Sequence, residues 1–175
     1  MNRITLVGMP GSGKSSVGRH MANRLGWPFI DADHEIERRT GTSIANIFEL
    51  EGEAGFRQRE ERLIDELTQT SPFVLATGGG AVLRASTRER LHQRTTVVYL
   101  AATLDELVVR LRHDRHRPLL QGVDHRAKLR ELFELRDPLY REVAHVVIET
   151  GRPHSAALAA LVISQLELAG LIGAH

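Results

Sequence analysis

The chain has 175 residues, of which 42% are hydrophobic and 26% charged, with a formal net charge of +1 and no cysteine. This length suits one domain whose core needs no disulfide or structural metal, and the absence of cysteine excludes thiolate zinc sites and cysteine nucleophiles. The near-neutral charge, the short apolar runs and the lack of a signal-peptide pattern predict a single-domain cytoplasmic protein, spanning residues 1–175, that binds neither nucleic acid nor membrane.

Five short apolar runs predict buried strands, in chain order at about 4–7, 29–30, 73–76, 97–100 and 146–148. Helical patterns alternate with them at about 14–25, 34–69 with interruptions near Gly41 and Gly52, 103–112, 125–136 and 155–168. We expect the helix at 125–136 to end before Pro138, because the residue before a proline is biased away from helical geometry. The alternation predicts a three-layer α/β/α fold in which a five-stranded parallel sheet lies between two layers of helices. Ligands are expected at the carboxyl ends of its strands.

The first predicted strand runs into residues 8–15, GMPGSGKS, which match the phosphate-binding loop pattern G-x-x-x-x-G-K-[ST]. A glycine-rich turn without a ligand is the alternative, but a strand before the motif and a helix after it are the context that phosphate binding requires. Lys14 would contact the β- and γ-phosphates and Ser15 would hold Mg²⁺. No guanine-reading N-K-x-D sequence is present, which favours ATP. The predicted ATP-binding residues of the loop are Gly11, Ser12, Gly13, Lys14, Ser15 and Ser16.

Two more segments follow predicted strands. Asp31 and Asp33 follow the second strand. Capping of a helix is one interpretation of these residues. Because they lie beside the phosphate loop, we instead expect one carboxylate to bind the water ligands of the metal and the other to bind a substrate hydroxyl. Gly78, Gly79 and Gly80 follow the third strand. A plain strand-to-helix turn is the alternative there, and we expect a substrate to lie directly on this backbone and to bond to its N–H groups.

The remaining candidate ligands are Arg57, Arg110, Arg117 and Arg136, although most arginines in proteins are solvated. The cationic segment from Arg110 to Arg117 lacks the aromatic residues of a nucleic-acid patch, and we interpret it as a lid that brings a guanidinium to a phosphoryl group. Arginines with an aspartate and a glycine platform suit a small anion bearing hydroxyls. The residues predict an ATP-dependent small-molecule kinase and leave its acceptor unnamed.

Histidines and two glutamates receive no direct role in this interpretation. The nine histidines, among them His113, His116 and His125, contain no metal-ligand pattern such as H-E-x-x-H, and we interpret them as solvated. Glu60 and Glu61 are expected to form ion pairs on the surface of a helix, with the alternative that Glu60, one turn after Arg57, orients that arginine.

In their order and spacing, these motifs resemble the shikimate kinase family over essentially the whole chain. The segments that carry the resemblance are GKS at 13–15, DAD at 31–33, EAGFRQRE at 53–60, TGGG at 77–80, VYL at 98–100, RPLL at 117–120 and RDPLY at 136–140. The resemblance implies a P-loop fold of the nucleoside-monophosphate-kinase type, with a substrate-binding segment at about 33–62 and a mobile lid at about 112–124. It also implies transfer of the γ-phosphoryl group of ATP to the 3-hydroxyl of shikimate, with Mg²⁺ as cofactor, by a monomer.

The resemblance assigns roles at the acceptor end of the site. Asp33 matches the residue that holds the substrate hydroxyls and is a candidate base, and Asp31 matches the one that supports Mg²⁺ through water. Arg57 and Arg136 match the positions that clamp the shikimate carboxylate, and residues 78–80 match the substrate-facing loop.

The nucleotide end receives its roles in the same way. Arg117 matches the lid arginine that touches the phosphates, so that Lys14, Asp33 and Arg117 form the predicted catalytic set. Arg110 resembles a position that packs on adenine, and Arg152 and Pro153 fall in the loop near the base. Two alternatives stay open: a kinase for another carboxylated polyol such as gluconate, and an ATP-binding regulatory module.

Overall fold

The computed structural model describes residues 2–112, 124–151 and 154–174. In chain order the elements are β1 Arg3–Val7, α1 Lys14–Leu25, β2 Phe29–Asp31, α2 Ala32–Thr40, α3 Ile44–Leu67, β3 Phe73–Ala76, a 3₁₀ turn Ala81–Leu83, α4 Ala85–Arg94, β4 Thr96–Ala101, α5 Leu104–Leu111, α6 His125–Val143, β5 Val146–Glu149 and α7 Ser155–Leu168. Within the described ranges, no helix is long and apolar enough to cross a lipid bilayer. Arg117, Arg152 and Pro153 lie outside these ranges, as does most of the predicted lid.

The strands form one parallel sheet in the order β2-β3-β1-β4-β5. Leu6 of the central strand β1 pairs with Ala76 of β3, and Val7 pairs with Tyr99 of β4. Because all strands run in the same direction, the segments that follow β1, β2 and β3 leave the sheet at one edge. The predicted phosphate loop, the two aspartates and the three glycines therefore meet there, and the predicted parallel α/β fold is confirmed.

Apolar side chains cover both faces of this sheet. Ile4 and Leu6 of β1 belong to a core cluster that α1 and α7 complete, whereas Val7 belongs to the cluster completed by α2 to α6. Each fully buried aliphatic side chain contributes roughly 1.5–3 kcal/mol, so two such clusters hold the sheet firmly between its helical layers. The edge of the sheet is thereby a rigid base for the loops that leave it.

A glycine bends the long helix α3 in the middle, as the sequence predicts. Gly52 has a φ of 73° and a ψ of 178°, so that α3 is two helical stretches joined at a kink. A residue with a Cβ rarely adopts this φ. The stretch after the kink carries Arg57 and Glu60, whose side chains are buried at the edge of the sheet described above.

The predicted end of the helix before Pro138 is wrong, because α6 continues to Val143 with the proline inside it. Proline removes one backbone donor, which leaves the carbonyl four residues earlier without its helical partner. Both Pro138 and Glu134 are solvent-exposed, so water can bond to that carbonyl. The buried side chains of Arg136 and Tyr140 continue to pack through this turn, and they lie one turn apart on the same face of α6.

Candidate active site

The phosphate-binding loop joins β1 to α1 in a geometry that its glycines permit. Gly11 and Gly13 have φ angles of 82° and 96°, in the left-handed region that favours glycine. The amide of Ser12 donates to the carbonyl of Met9 at 3.1 Å and closes the turn. Helix α1 has no acidic residue of its own in its first turn, and its positive end faces the loop. This arrangement suits the oxygens of a phosphate group.

Lys14 is the only charged residue of the loop, and its side chain folds back over the loop backbone. Its Nζ donates to the carbonyls of Gly8 at 2.8 Å and Met9 at 2.9 Å, and the side chain is buried. Hydrogen bonds from an ammonium to a charged oxygen are stronger than those to a neutral carbonyl. The structure thus holds the predicted phosphate-binding charge within the loop, on acceptors that phosphate oxygens can outcompete.

Ser15 and Asp31 meet at the end of the loop. The Ser15 hydroxyl donates to Oδ2 of Asp31 at 2.5 Å, while Oδ1 of Asp31 accepts from the His34 amide at 3.1 Å and caps α2. Capping and a place in the site, the two interpretations of Asp31 from sequence, are therefore compatible. In the described part of the chain, no three His, Asp or Glu side chains form a complete metal cage. A hydroxyl and a carboxylate beside a phosphate site fit a hard cation such as Mg²⁺, which takes its other ligands from phosphate and water.

Two carboxylates converge on Gly78. Gly78, Gly79 and Gly80 mark the end of the site where the sequence predicts the phosphoryl acceptor, and we call it the acceptor end. A Cβ built on Gly78 would lie 2.6 Å from Oδ1 of Asp33 and 2.9 Å from Oε2 of Glu60. Asp33 reaches this point from the first turn of α2, and Glu60 reaches it from the second stretch of α3. Only glycine leaves room for both acids, so the segment after β3 is shaped by close approach rather than by flexibility.

Two guanidiniums lie beside the next two glycines. A Cβ on Gly79 would lie 3.2 Å from Nη1 of Arg136, and a Cβ on Gly80 would overlap the guanidinium of Arg57. Arg136 is 2% exposed and Arg57 is 8% exposed, and the Nε atom of each arginine is buried without a hydrogen-bond partner. Arginines that are 79 positions apart in the chain are thus brought to adjacent glycines, as expected for a pair that shares one anion.

Glu60 is the largest departure from the sequence interpretation, because it is buried and does not lie on a helix surface. It is 2% exposed, and its Oε1 accepts from Nη1 of Arg57 at 3.0 Å. Burial raises the pKa of Glu60 to about 7, the Asp33 carboxylate adds to the rise, and the Arg57 guanidinium opposes it. The alternative role, orientation of Arg57, therefore agrees with the geometry. Glu61 does form ion pairs as predicted, with Arg84 and Arg90 from the region of α4.

We expect Glu60 to make the free protein less stable as the pH rises from about 4.5 to about 7. The unfolded chain loses this proton near pH 4.5, whereas the folded protein keeps it up to about pH 7, so the folded state binds more protons in this window. The stabilisation is complete below about pH 4.5 and is lost as the pH passes about 7. It amounts to on the order of 3 kcal/mol, since one pKa unit corresponds to about 1.4 kcal/mol.

Urea unfolding of the wild type and of Glu60→Gln between about pH 4.5 and about pH 8 measures this effect, because the other titrating groups are common to both proteins. The free energy of unfolding of the variant minus that of the wild type should increase with pH. A difference that is constant or decreases over this range would contradict the raised pKa.

A cavity of about 700 Å³ connects the phosphate loop to the acceptor end. The predicted residues that line it are Gly11, Ser12, Gly13, Lys14, Ser15, Ser16, Asp31, Asp33, Gly78, Gly79 and Arg110. Arg57, Gly80 and Arg136 do not line it, but the Arg136 guanidinium lies beside Gly79, which does, and the Arg57 guanidinium lies beside Gly80, the next residue. Residues that the sequence interpretation missed also line the cavity, namely Arg19, His34, Glu37 and His154. For His34 and Glu37, the one available signal is their position on the same helix as Asp33.

Arg110 contacts the phosphate loop directly. Its Nη1 donates to the carbonyl of Gly11 at 3.1 Å from the last turn of α5. The predicted packing of Arg110 on adenine stays a prediction. Arg117, Arg152, Pro153 and the histidines His113 and His116 lie outside the described residues.

Comparison with known proteins places this site in a family. The family model for shikimate kinase matches residues 10–167. A shikimate kinase of Burkholderia pseudomallei is 58% identical over 169 residues, which are 97% of this chain and 92% of that relative. The solved structure of shikimate kinase from Acinetobacter baumannii in complex with shikimate has a TM-score of 0.93 and 50% identity, and the match covers 97% of this chain and 94% of that one.

A more distant neighbour shares the fold alone. The structure of a gluconokinase from Sinorhizobium meliloti 1021 matches with a TM-score of 0.57 at 19% identity, over 96% of this chain and 97% of that one. The shikimate kinase structure at 50% identity is thus more similar to this chain than the gluconokinase in both sequence and shape. The chain belongs to the shikimate kinase family and is an ATP-dependent kinase.

Proposed function

We propose that the chain transfers the γ-phosphoryl group of ATP to the 3-hydroxyl of shikimate, giving shikimate 3-phosphate and ADP, on the route to chorismate and the aromatic amino acids. The observation that carries this proposal is the pair of buried guanidiniums, Arg57 and Arg136, at the acceptor end of the phosphate-loop cavity. Buried cations with unused donors are costly, and a carboxylate on the ligand would satisfy both. The shikimate bound to the Acinetobacter relative supports the same acceptor.

ATP is bound through its phosphates. Backbone N–H groups of the loop and the positive end of α1 surround the phosphate oxygens, and the Lys14 ammonium moves its hydrogen bonds from loop carbonyls to the β- and γ-phosphates. Ser15 and, through water, Asp31 would hold Mg²⁺, which neutralises charge on the same phosphates when it is bound. The loop residues assigned to ATP are Gly11, Ser12, Gly13, Lys14, Ser15 and Ser16.

The protein holds shikimate at two opposite ends of the molecule, the carboxylate at one end and the hydroxyls at the other. Arg57 and Arg136 bond to the carboxylate, and the backbone of residues 78–80 supports the ring. Asp33 accepts a hydrogen bond from the 3-hydroxyl and directs its oxygen toward the γ-phosphorus. With both substrates so placed, the enzyme accelerates transfer by alignment and by stabilisation of charge, because phosphoryl transfer requires little covalent work from a protein.

The remaining assignments complete the proposal. The whole chain, residues 1–175, forms one monomeric kinase domain with a substrate-binding segment at about 33–62. The segment at about 112–124, most of which lies outside the described residues, is assigned as the lid that carries Arg117 to the phosphates. Arg110 leaves the Gly11 carbonyl to pack on adenine, and Arg152 and Pro153 contact the base.

A coupled ADP-release assay with Mg-ATP tests the function by comparing shikimate, gluconate and no acceptor. Saturable turnover with shikimate alone supports the proposal. Turnover with gluconate would keep a kinase and overturn the acceptor, since paired arginines bind any small carboxylate. Binding of ATP without turnover of any acceptor would instead favour the regulatory module.

We expect Arg136→Ala to weaken shikimate binding about 100-fold and to change ATP binding less than threefold. The substitution removes one of two buried partners of the carboxylate, and truncation of a buried charged hydrogen-bond partner typically costs about 2–5 kcal/mol. Calorimetric titration with each ligand measures the two affinities separately. Arg130→Ala is the matched control, because Arg130 lies on the same helix and is solvent-exposed. Equal losses for both ligands would contradict the assignment of Arg136 to the acceptor.

A further inference from the structure

The hydroxyl of Tyr140 lies at a junction of the active site that the proposed mechanism does not use. Tyr140 has no exposed surface, and its hydroxyl donates to the carbonyl of Gly79 at 2.5 Å. The same oxygen lies 3.9 Å from Sδ of Met9 in the phosphate loop. A single buried phenol therefore contacts both the glycine segment of the acceptor site and the loop that binds ATP.

The same phenol is coupled to Arg136, one turn earlier on α6. Burial raises the pKa of the Tyr140 phenol well above its ordinary value, and the positive charge of Arg136 opposes this rise. The phenol therefore stays protonated and remains a donor at every working pH. Arg136 also lies close to Gly79, since its Nη1 would be 3.2 Å from a Cβ there. Tyr140, Arg136 and Gly79 form one compact contact group.

The geometry of the peptide bond gives this contact a consequence for the substrate. The carbonyl of Gly79 and the N–H of Gly80 belong to one planar trans peptide, so they point in opposite directions. A hydrogen bond that fixes the carbonyl toward Tyr140 therefore also fixes the N–H on the side away from Tyr140. Glycine on both sides of a peptide allows it to rotate more freely than other residues would, so an external anchor has a large effect on its orientation.

We propose that Tyr140 is a positioning residue of the acceptor site, whose hydroxyl sets the orientation of the Gly79–Gly80 peptide relative to Arg136. The Gly80 N–H and the Arg136 guanidinium then reach the acceptor in a fixed relative geometry. The role assigned to Tyr140 rests on the proposed function, because it takes Gly80 and Arg136 to be ligands of shikimate.

Tyr99 provides a matched control in the same cluster. Its ring packs against that of Tyr140 at a centroid distance of 5.0 Å, and its hydroxyl donates to Oδ1 of Asp137 at 2.6 Å. Both tyrosines are buried, and each loses one hydroxyl and one hydrogen bond when it is replaced by phenylalanine. The acceptor of the Tyr99 bond is a side chain of α6 and not the glycine segment. Any effect of Tyr140→Phe that exceeds the effect of Tyr99→Phe therefore comes from the contacts of the Tyr140 hydroxyl with Gly79 and Met9, and the amide resonance of Gly80 assigns it to the anchored peptide.

The test compares wild type, Tyr140→Phe and Tyr99→Phe by steady-state kinetics and by urea unfolding. We expect Tyr140→Phe to lower kcat/KM for shikimate about fivefold to tenfold, as for loss of one hydrogen bond, while KM for ATP changes less than twofold. Tyr99→Phe should lose a similar amount of stability and keep the kinetic constants of the wild type. Kinetic constants of Tyr140→Phe that equal those of Tyr99→Phe would overturn the positioning role.

A second readout separates this inference from the proposed function. In ¹⁵N-labelled protein without substrate, the amide resonance of Gly80 should shift in Tyr140→Phe and stay in place in Tyr99→Phe. An unchanged Gly80 resonance in Tyr140→Phe overturns the anchor, whatever the acceptor proves to be. If the wild-type protein does not turn over shikimate but the Gly80 resonance shifts in Tyr140→Phe as expected, the proposed function is refuted and the anchor of the peptide is supported.

Discussion

Lys14→Ala should lower kcat/KM by about 10²- to 10³-fold, the range found when one preorganised electrostatic contact to a transition state is removed. The Lys14 ammonium is buried in the loop, where it donates to the carbonyls of Gly8 and Met9. Its charge is therefore already positioned next to the phosphate site before ATP binds. Alanine is a good helix former at the first position of α1, and the glycines set the loop, so the fold is retained. The coupled ADP-release assay measures the loss.

The control for Lys14 is the one other lysine of the chain, Lys128. Lys128 lies near the start of α6, and its Nζ is 3.4 Å from Oε2 of Glu131. Lys128→Ala should keep wild-type kinetics, since a partly exposed ion pair contributes little. Near wild-type turnover of Lys14→Ala would refute the assignment of the loop to ATP phosphates.

Asp33→Asn should lower kcat by about 10²- to 10³-fold and change KM for ATP less than threefold. Asparagine has nearly the shape of aspartate but lacks its charge, so it cannot hold or take the proton of the acceptor hydroxyl as a carboxylate does. Asp33 lies opposite Gly78, where the absence of a Cβ leaves the carboxylate room at the acceptor end. The split between kcat and KM for ATP is the informative measurement.

Glu35→Gln is the control for Asp33, because Glu35 lies in the same first turn of α2 but bonds to Arg38 and Arg39 on the surface. Arg38 and Arg39 lower the pKa of Glu35 to about 2, so this substitution also removes a charge. It should leave kcat unchanged. If Asp33→Asn retained wild-type turnover, the catalytic role of Asp33 would be refuted. Its one remaining role would be to stabilise α2 through its negative charge near the start of the helix.

The parts of the site that lie within a few consecutive residues could be predicted from sequence. The pattern at residues 8–15 specifies its own structure, because glycines, lysine and serine at those spacings need only a strand before them and a helix after them. The kink at Gly52 was predictable for the same reason. The end of α6 was not, because Pro138 acts locally against the helix while distant packing of Arg136 and Tyr140 acts for it.

By itself, the sequence determined the alternation of strands and helices, the phosphate loop and the residue types that an anionic acceptor needs, since all of these depend on local pattern and composition. Only the tertiary structure decided which side chains lose their water. Glu60 is as polar in sequence as Glu61, yet the packing of α3 against the edge of the sheet buries one and leaves the other among surface arginines. The anchor from Tyr140 to Gly79 likewise joins residues 61 positions apart, because burial and proximity follow from the order of the strands and not from spacing along the chain.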